Sequence, residues 1–353
     1  MGVETKRNNY TIVQSEPEVY VDNESRDRSG HMSHAMAQWE PGKVIVFNSS
    51  CSAQRFSGHS TFGWVEYRTS EDGCETFSEV KELPYTKKIF YQGIHTISVE
   101  KAVACDDGRV VAFCLRNDSM KLCEPWGPPT SVTTPDGGKT WEEPVEVSAY
   151  PGRIYDARYY QGVIYVLEFC NDASVHFCGS QEDHLFRIFT SYDNGHSFQE
   201  HCVVPIPTHG RGYGALLFDD AGRLHVYAYN MNAETEMDHI VSEDLGKTWG
   251  EPTTCYVAKK IRNPQVNQMD GVFLLHGRTG GAGKAMVLYS SEDGQNWDEG
   301  YYVSQCPDKG TGYYSNNIVL EDSNGNHRMR IQFSEPYESS CVNVMQCWVR
   351  IKR

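Results

Sequence analysis

Six stretches of the chain repeat one arrangement of polar and apolar positions. Each opens on a polar or aromatic residue, runs into a short apolar segment, breaks at a turn and returns as a second apolar segment. They are His34–Phe47, Glu100–Phe113, Asp156–Phe169, Tyr213–Tyr229, Asn263–Leu275 and Ser315–Phe333. Most of the turns carry glycine, as in Asp106-Asp107-Gly108 and Asp219-Asp220-Ala221-Gly222. Short apolar runs bounded by Gly and Asp turns read as paired β-strands. Their regular return along the chain reads as a repeat architecture.

A second pattern runs in phase with the first. It reads Ser/Thr-x-Asp-x-Gly-x-x-Trp/Phe and occurs five times. Thr134-Pro-Asp136-Gly-Gly138-Lys-Thr-Trp141 and Ser242-Glu-Asp244-Leu-Gly246-Lys-Thr-Trp249 are the fullest copies. Ser191-Tyr-Asp193-Asn-Gly195-His-Ser-Phe198 ends on Phe, and Ser70-Glu-Asp72-Gly-Cys74-Glu-Thr-Phe77 has Cys where Gly is expected. The fifth copy, from Ser290 to Trp297, is aligned here with Glu292 in the Asp place. The carboxylate accepts backbone N–H bonds inside a tight turn, Gly supplies the unusual backbone, and the aromatic anchors the hairpin. These aspartates are therefore expected to be scaffold rather than catalytic.

The copies recur every ~50–65 residues, the length of a four-stranded propeller blade. Six strand pairs against five Asp turns predict an all-β fold, a six-bladed β-propeller of four-stranded antiparallel blades with Asp-box turns. The last blade lacks its box. The stretch Tyr10–Val19 is expected to pair with Val342–Ile351 and close the ring, which removes an exposed sheet edge. No Pro-, Gly- or Ser-rich linker interrupts the chain, so residues 1–353 read as a single domain.

Composition narrows the partners. The formal charge of −15 argues against nucleic acid or an anionic membrane, both of which call for a basic surface. It leaves open a small anionic substrate, which responds to the local charge of a pocket. No apolar run reaches the length of a membrane-spanning helix, and MGVETKRNNY lacks the apolar core of a signal peptide. The twelve cysteines form no zinc spacing and several sit in apolar strands, where thiols pack as small hydrophobes. Reduced cysteines, a cytoplasmic location (secreted if a leader has been removed), no cofactor and no metal are the expectations.

On a propeller, the innermost strands converge at one end of the axis. Counting back from each hairpin turn places His34, Glu100, Asp156, Tyr213, Asn263 and Ser315, with Tyr314 beside it, around that end. Lys101, Arg158, Arg211 and Arg262 are basic neighbours. Glu100 and Asp156 would lie on adjacent blades, and two carboxylates flanking a bond are the usual equipment for glycoside hydrolysis. The alternative is a buried ring of ion pairs with Arg158 or Lys101. Arg55, Arg158, Arg211 and Arg278 could each hold a carboxylate through a bidentate contact, with Tyr213 and Asn263 completing a substrate-binding set.

Repeated Asp boxes on a six-bladed propeller resemble the sialidase superfamily of glycoside hydrolases, over nearly the whole chain from about residue 30. The resemblance implies arginines that grip a carboxylate, a Tyr nucleophile helped by a Glu, and an Asp acid/base. Gly312-Tyr313-Tyr314-Ser315-Asn316-Asn317 resembles the stretch carrying the nucleophile, which would make Tyr314 its counterpart, with Glu335 or Asp156 to remove its proton. Arg278 precedes Ser290 much as the third arginine precedes its box. The chain departs elsewhere. It has Gly30-His31-Met32-Ser33-His34-Ala35 where the family opens with Arg-Ile-Pro, no carboxylate in Gln54-Arg55-Phe56-Ser57-Gly58-His59, and Arg211-Gly-Tyr213-Gly214 where the family places its Glu. His31, His34 and His59 stand near those gaps, and a histidine can serve as a general acid near neutral pH.

The resemblance thus implies an exo-acting glycoside hydrolase, a sialidase or an enzyme for a similar acidic sugar, with an oligosaccharide or glycoconjugate as partner. The catalytic set is Glu100, Asp156, Tyr314 and His34. The alternatives are a hydrolase or lyase for another glycan (an arabinan or a uronic-acid polymer), and a non-catalytic carbohydrate-binding propeller.

Overall fold

In the computed structural model the chain forms six four-stranded antiparallel blades arranged in a ring. The structure describes all residues except 1, 58–59, 94–95, 118–126, 171–183, 280–283, 311, 323 and 340, and leaves aside the side chains of 55–57, 60–61, 96–97 and 117 as well. From the axis outward, the second blade is Thr96–Ala104, Val110–Asn117, Thr130–Thr134 and Val145–Glu146. The third is Gly152–Tyr160, Val163–Cys170, Leu185–Ser191 and Gln199–Val203. The fourth starts at Arg211–Phe218, the fifth at Arg262–Met269 and the sixth at Ser315–Glu321. In the first blade the axial strand is Met36–Glu40, and the short helix Pro84–Phe90 leads on to the second.

Ring closure follows the expected pairing. Thr11–Gln14 runs antiparallel to the last strand, with Thr11 opposite Lys352 and Gln14 opposite Val349. Glu18–Val21 adds to the same strand, with Val19 opposite Met345.

The strands alternate so that each blade presents an apolar face to both neighbours, and the core is divided accordingly. One apolar cluster fills each of the six spaces between adjacent blades. Ile45, Phe47, Val99 and Ala112 lie between the first and second, Leu167, Phe186, Leu216 and Val226 between the third and fourth, and Leu274, Leu288, Ile331 and Phe333 between the fifth and sixth. Burial on this scale is the main force holding the ring.

The Asp turns join the third and fourth strands of their blades and are closed by their own hydrogen bonds. Asp136 Oδ1 accepts the N–H groups of Lys139 (3.0 Å) and Thr140 (2.8 Å) and the Thr134 hydroxyl (3.0 Å). Thr134 Oγ1 in turn accepts the Gly138 N–H at 2.7 Å, and Gly138 sits at φ +83°, a conformation costly for a residue with a Cβ. Asp72, Asp193 and Asp244 repeat this pattern. The fifth turn corrects the alignment above. Ser291 donates to Asp293, and Asp293 accepts the N–H groups of Gln295 and Asn296. Glu292 is not the turn carboxylate, because the turn is one residue tighter. The aromatic of the turn packs on the preceding blade rather than its own hairpin alone. Trp141 meets the Tyr67 ring edge-on at 5.4 Å and donates its indole N–H to the Tyr67 hydroxyl at 3.1 Å.

Candidate active site

The axial strands do not run as regular ladders at the end where the blades converge. Phe113 pairs with Lys101 and Cys114 with Val99, so Glu100 has no cross-strand counterpart in the ladder. The same irregularity leaves out Tyr155 between Ile154 and Asp156, Tyr213 between Gly212 and Gly214, and Asn263 between Arg262 and Gln265. Such bulges re-aim a side chain out of the sheet. Ser33, Tyr213, Asn263 and Tyr313 hold positive φ, at 67°, 44°, 55° and 66°. This is strained for any residue but glycine, and strain of this kind clusters at ligand sites.

The re-aimed residues meet. Ser33, His34, Glu100, Tyr155, Tyr213, Asn263, Tyr314 and Ser315 line one cavity on the axis, joined by Met32, Arg153, Gly214, Gln265 and Asn316. The free space is about 30 Å³, room for one water rather than a sugar ring. A ligand would therefore have to part these side chains or lie across their mouth.

Three arginines surround the tyrosines. The Arg278 guanidinium lies 4.2 Å from the centre of the Tyr314 ring and donates through Nε to Asn263 Oδ1 at 2.7 Å. Arg153 lies 5.2 Å from the Tyr155 ring and 5.5 Å from Tyr213, and Arg262 lies 5.4 Å from Tyr213. Aromatic faces attract cations and hold them without neutralising them. Arg153 also pairs with Glu100 at 2.9 Å, and Glu100 is the one carboxylate among the described residues that line the cavity. Three guanidinium groups against one carboxylate leave the site with an excess of positive charge.

Burial sets the protonation of the rest. It raises the Tyr314 hydroxyl above the usual phenol range, with Arg278, Arg153 and Arg262 pulling the other way. It drives His31 well below the usual imidazole value, helped by Arg278, and His34 down to about 4. Both histidines are thus neutral near pH 7. The His31 ring stands edge-on to Tyr314 at 4.6 Å.

Of the residues expected from the sequence, Glu100, His34, Tyr213, Asn263 and Tyr314 come together in the cavity, and Arg278 stacks on Tyr314. Asp156 does not. The bulge in the third blade selects Tyr155, one residue earlier, and a one-residue slip turns a strand side chain to the other side. The Asp156 carboxylate is fully buried below the cavity, 3.2 Å from Lys101 and 3.4 Å from Arg158. It also accepts the N–H groups of Ala157 (2.9 Å) and Leu216 (3.0 Å). This is the buried ion-pair arrangement that the sequence left as its alternative. Arg158 is spent there too, donating to the carbonyls of Leu216 and Val266. Arg211 pairs with Asp238 in its own blade. The Arg55 side chain and His59 lie outside the described residues. Glu335 bonds to Ser304 and Tyr313, not to Tyr314.

Sequence reasoning missed Arg153 and Tyr155 and named Arg262 only as a neighbour. Arg153 and Arg211 both stand two residues before a bulged tyrosine, a shared position that could have drawn attention to both. Only the tertiary partners separate them. Arg211 finds Asp238 within its own blade, whereas Arg153 finds Glu100 across the axial cavity.

No protein-family model matches the chain, and no curated protein matches it by sequence. Solved structures do match the fold. A Dyadobacter fermentans protein of unknown function aligns at TM-score 0.72 and 14% identity, over 97% of this chain and 99% of that one. The Hadza microbial sialidase Hz136 aligns at TM-score 0.64 and 13% identity, over 96% of this chain and 68% of that one. A leech intramolecular trans-sialidase aligns at TM-score 0.60 and 11% identity, over 93% and 69%. The propeller is thus similar to those of sialidases, at identities that carry the fold and no more.

Proposed function

We propose that the protein is a glycoside hydrolase that removes a terminal acidic sugar, sialic acid or a close relative, from an oligosaccharide or glycoconjugate. The observation that carries this reading is the trio Arg153, Arg262 and Arg278, held on tyrosine faces at the axis. Guanidinium groups suit the planar carboxylate of such a sugar through paired N–H bonds. The sugar carboxylate would compete with Glu100 for Arg153 and so free the only cavity carboxylate among the described residues.

In this mechanism Tyr314 attacks the anomeric carbon as its proton passes to a neighbouring base, while Glu100, released from Arg153 and protonated from solvent, gives that proton to the leaving oxygen. The arginines that bind the substrate also favour the phenolate of Tyr314. Water then displaces the sugar from Tyr314, with Glu100 returned to its charged form as base. Tyr213 stands where related enzymes place a carboxylate, so the proton of Tyr314 has a different first acceptor, and His31, neutral and against its ring, is the candidate.

A second reading, a propeller that binds acidic glycans without cleaving them, is favoured by one observation. The two carboxylates expected to take the proton of Tyr314, Glu335 and Asp156, are both bonded elsewhere. A fluorogenic sialoside and a fluorogenic uronide separate the readings. Hydrolysis that falls at least a hundredfold in both Tyr314→Phe and Glu100→Gln, with sugar affinity kept within a few fold, supports the enzyme. Binding of the free sugar by calorimetry, without turnover of either substrate and without effect of Tyr314→Phe, supports the binding protein.

A further inference from the structure

A second cavity lies further along the same axial strands, below the floor of the first. It has a volume of about 310 Å³ and takes its walls from five blades, with Gln38, Lys101, Arg158, Asn267, Asn316 and Asn317 as its polar lining. Apolar residues such as Ala102, Ala157 and Val319 fill the rest. None of the residues assigned to substrate chemistry lines it.

Its charge is unbalanced. Lys101 is buried and shares Asp156 with Arg158, at 3.2 and 3.4 Å. Two cations against one carboxylate leave an excess of positive charge among the described residues around this cavity, and Lys101 itself is buried, where a weak counter-charge is costly. An ammonium group has three N–H donors. Lys101 gives one to Asn316 Oδ1 at 2.6 Å and one to Asp156, and the third has no acceptor among the described residues.

We infer that this lower cavity is a binding site for one small monovalent anion, a halide or a short carboxylate, held by the free N–H of Lys101. One negative charge balances the excess, and the cavity has room for the ion with part of its hydration shell. Bound there, the anion sits against hydrogen bonds that reach the upper cavity. Asn316 accepts from Lys101 and donates to the Glu100 carbonyl at 2.9 Å. Asn267 donates to Asn317, which donates to His276 Nε2 at 2.8 Å, and His276 Nδ1 meets Ser315 at 3.0 Å.

The test is direct and independent of any enzymatic activity. Crystals of the protein soaked in sodium bromide should show an anomalous peak in contact with Lys101 Nζ. Calorimetry with bromide in Arg278→Met protein, at constant ionic strength set by HEPES salt, should show one saturable site that weakens at least tenfold on adding Lys101→Met. Bromide found only among Arg153, Arg262 and Arg278, or affinity unchanged by Lys101→Met, would overturn the site. Should Lys101→Met fail to fold, the bromide peak in the unaltered protein decides. Acetate that displaces bromide supports the carboxylate; acetate that leaves it in place removes the carboxylate and keeps the halide.

Discussion

Replacing Asp156 by Asn tests whether this carboxylate is scaffold or catalyst. Both of its oxygens are committed. Oδ1 accepts the Ala157 N–H and faces Lys101, while Oδ2 accepts the Leu216 N–H and faces Arg158. Asparagine has one oxygen, so whichever way it turns, its NH2 group opposes a backbone donor. The buried Lys101 and the partly buried Arg158 also lose their shared counter-charge. At an effective dielectric of about 20, each charge pair at this separation is worth about 5 kcal/mol before desolvation is counted. Breaking one partner of a buried pair costs about 3–5 kcal/mol in practice, a large share of the ~5–15 kcal/mol that holds a typical domain together. With a longer chain shifting by roughly 2 °C per kcal/mol, the midpoint of thermal unfolding should fall by on the order of 5–10 °C. Differential scanning calorimetry measures this, and a fluorogenic glycoside measures turnover on the folded fraction. The expected result is a less stable protein whose remaining folded molecules keep their specific activity within a few fold. Unchanged stability with activity lowered a hundredfold would refute the scaffold assignment and return Asp156 to the chemistry. Asp156→Asn combined with Lys101→Met should recover part of the loss, since the pair then disappears together.

Other outcomes follow from the same structure. Burial holds His34 and His239 at about 4 and His276 at about 3, and lowers His31 and His225 as well. Unfolding lets each take up a proton below its ordinary value of ~6.5, so their contribution is complete above that pH and is lost as pH falls towards 4, by up to ~1.4 kcal/mol per pH unit for each residue. Urea titrations at pH 7.5 and 5 should show the drop; equal midpoints would mean that these rings titrate normally. Glu168 has the opposite sign, because burial raises it to about 8. It stays protonated in the folded protein and ionises on unfolding, which lowers stability as pH rises from its ordinary range to 8. Glu168→Gln should therefore stabilise the protein at pH 7.5, on the order of a few kcal/mol, and do little at pH 4.5, and an equal effect at both would contradict this. Asp136→Ala removes the acceptor of four bonds in the second-blade turn. It should cost about 1–3 kcal/mol by urea unfolding with specific activity unchanged, whereas lost activity in stable protein would make that aspartate more than scaffold.

The propeller was legible in the sequence because its determinants are local. An Asp turn closes its bonds within eight residues, from Thr134 to Trp141, and each strand pair carries its own apolar pattern. Repetition then makes the count of blades readable, and the pairing of Thr11–Gln14 with the last strand follows from the need to close an edge. Five of the six axial residues, His34, Glu100, Tyr213, Asn263 and the stretch at Tyr314, could be placed by counting from the turns. The sixth failed because a bulge inserts one residue, and a bulge depends on how two strands meet. That single slip exchanged Asp156 for Tyr155 and, with it, a carboxylate pair for a site dominated by arginine and tyrosine. The fate of each arginine was likewise beyond the sequence. Arg153, Arg158 and Arg211 look alike along the chain, but one faces the axis, one braces three blades from below and one is taken up by Asp238. Which carboxylate each guanidinium meets, Glu100 in the cavity for Arg153 or Asp238 within the blade for Arg211, depends on distances that only the fold sets.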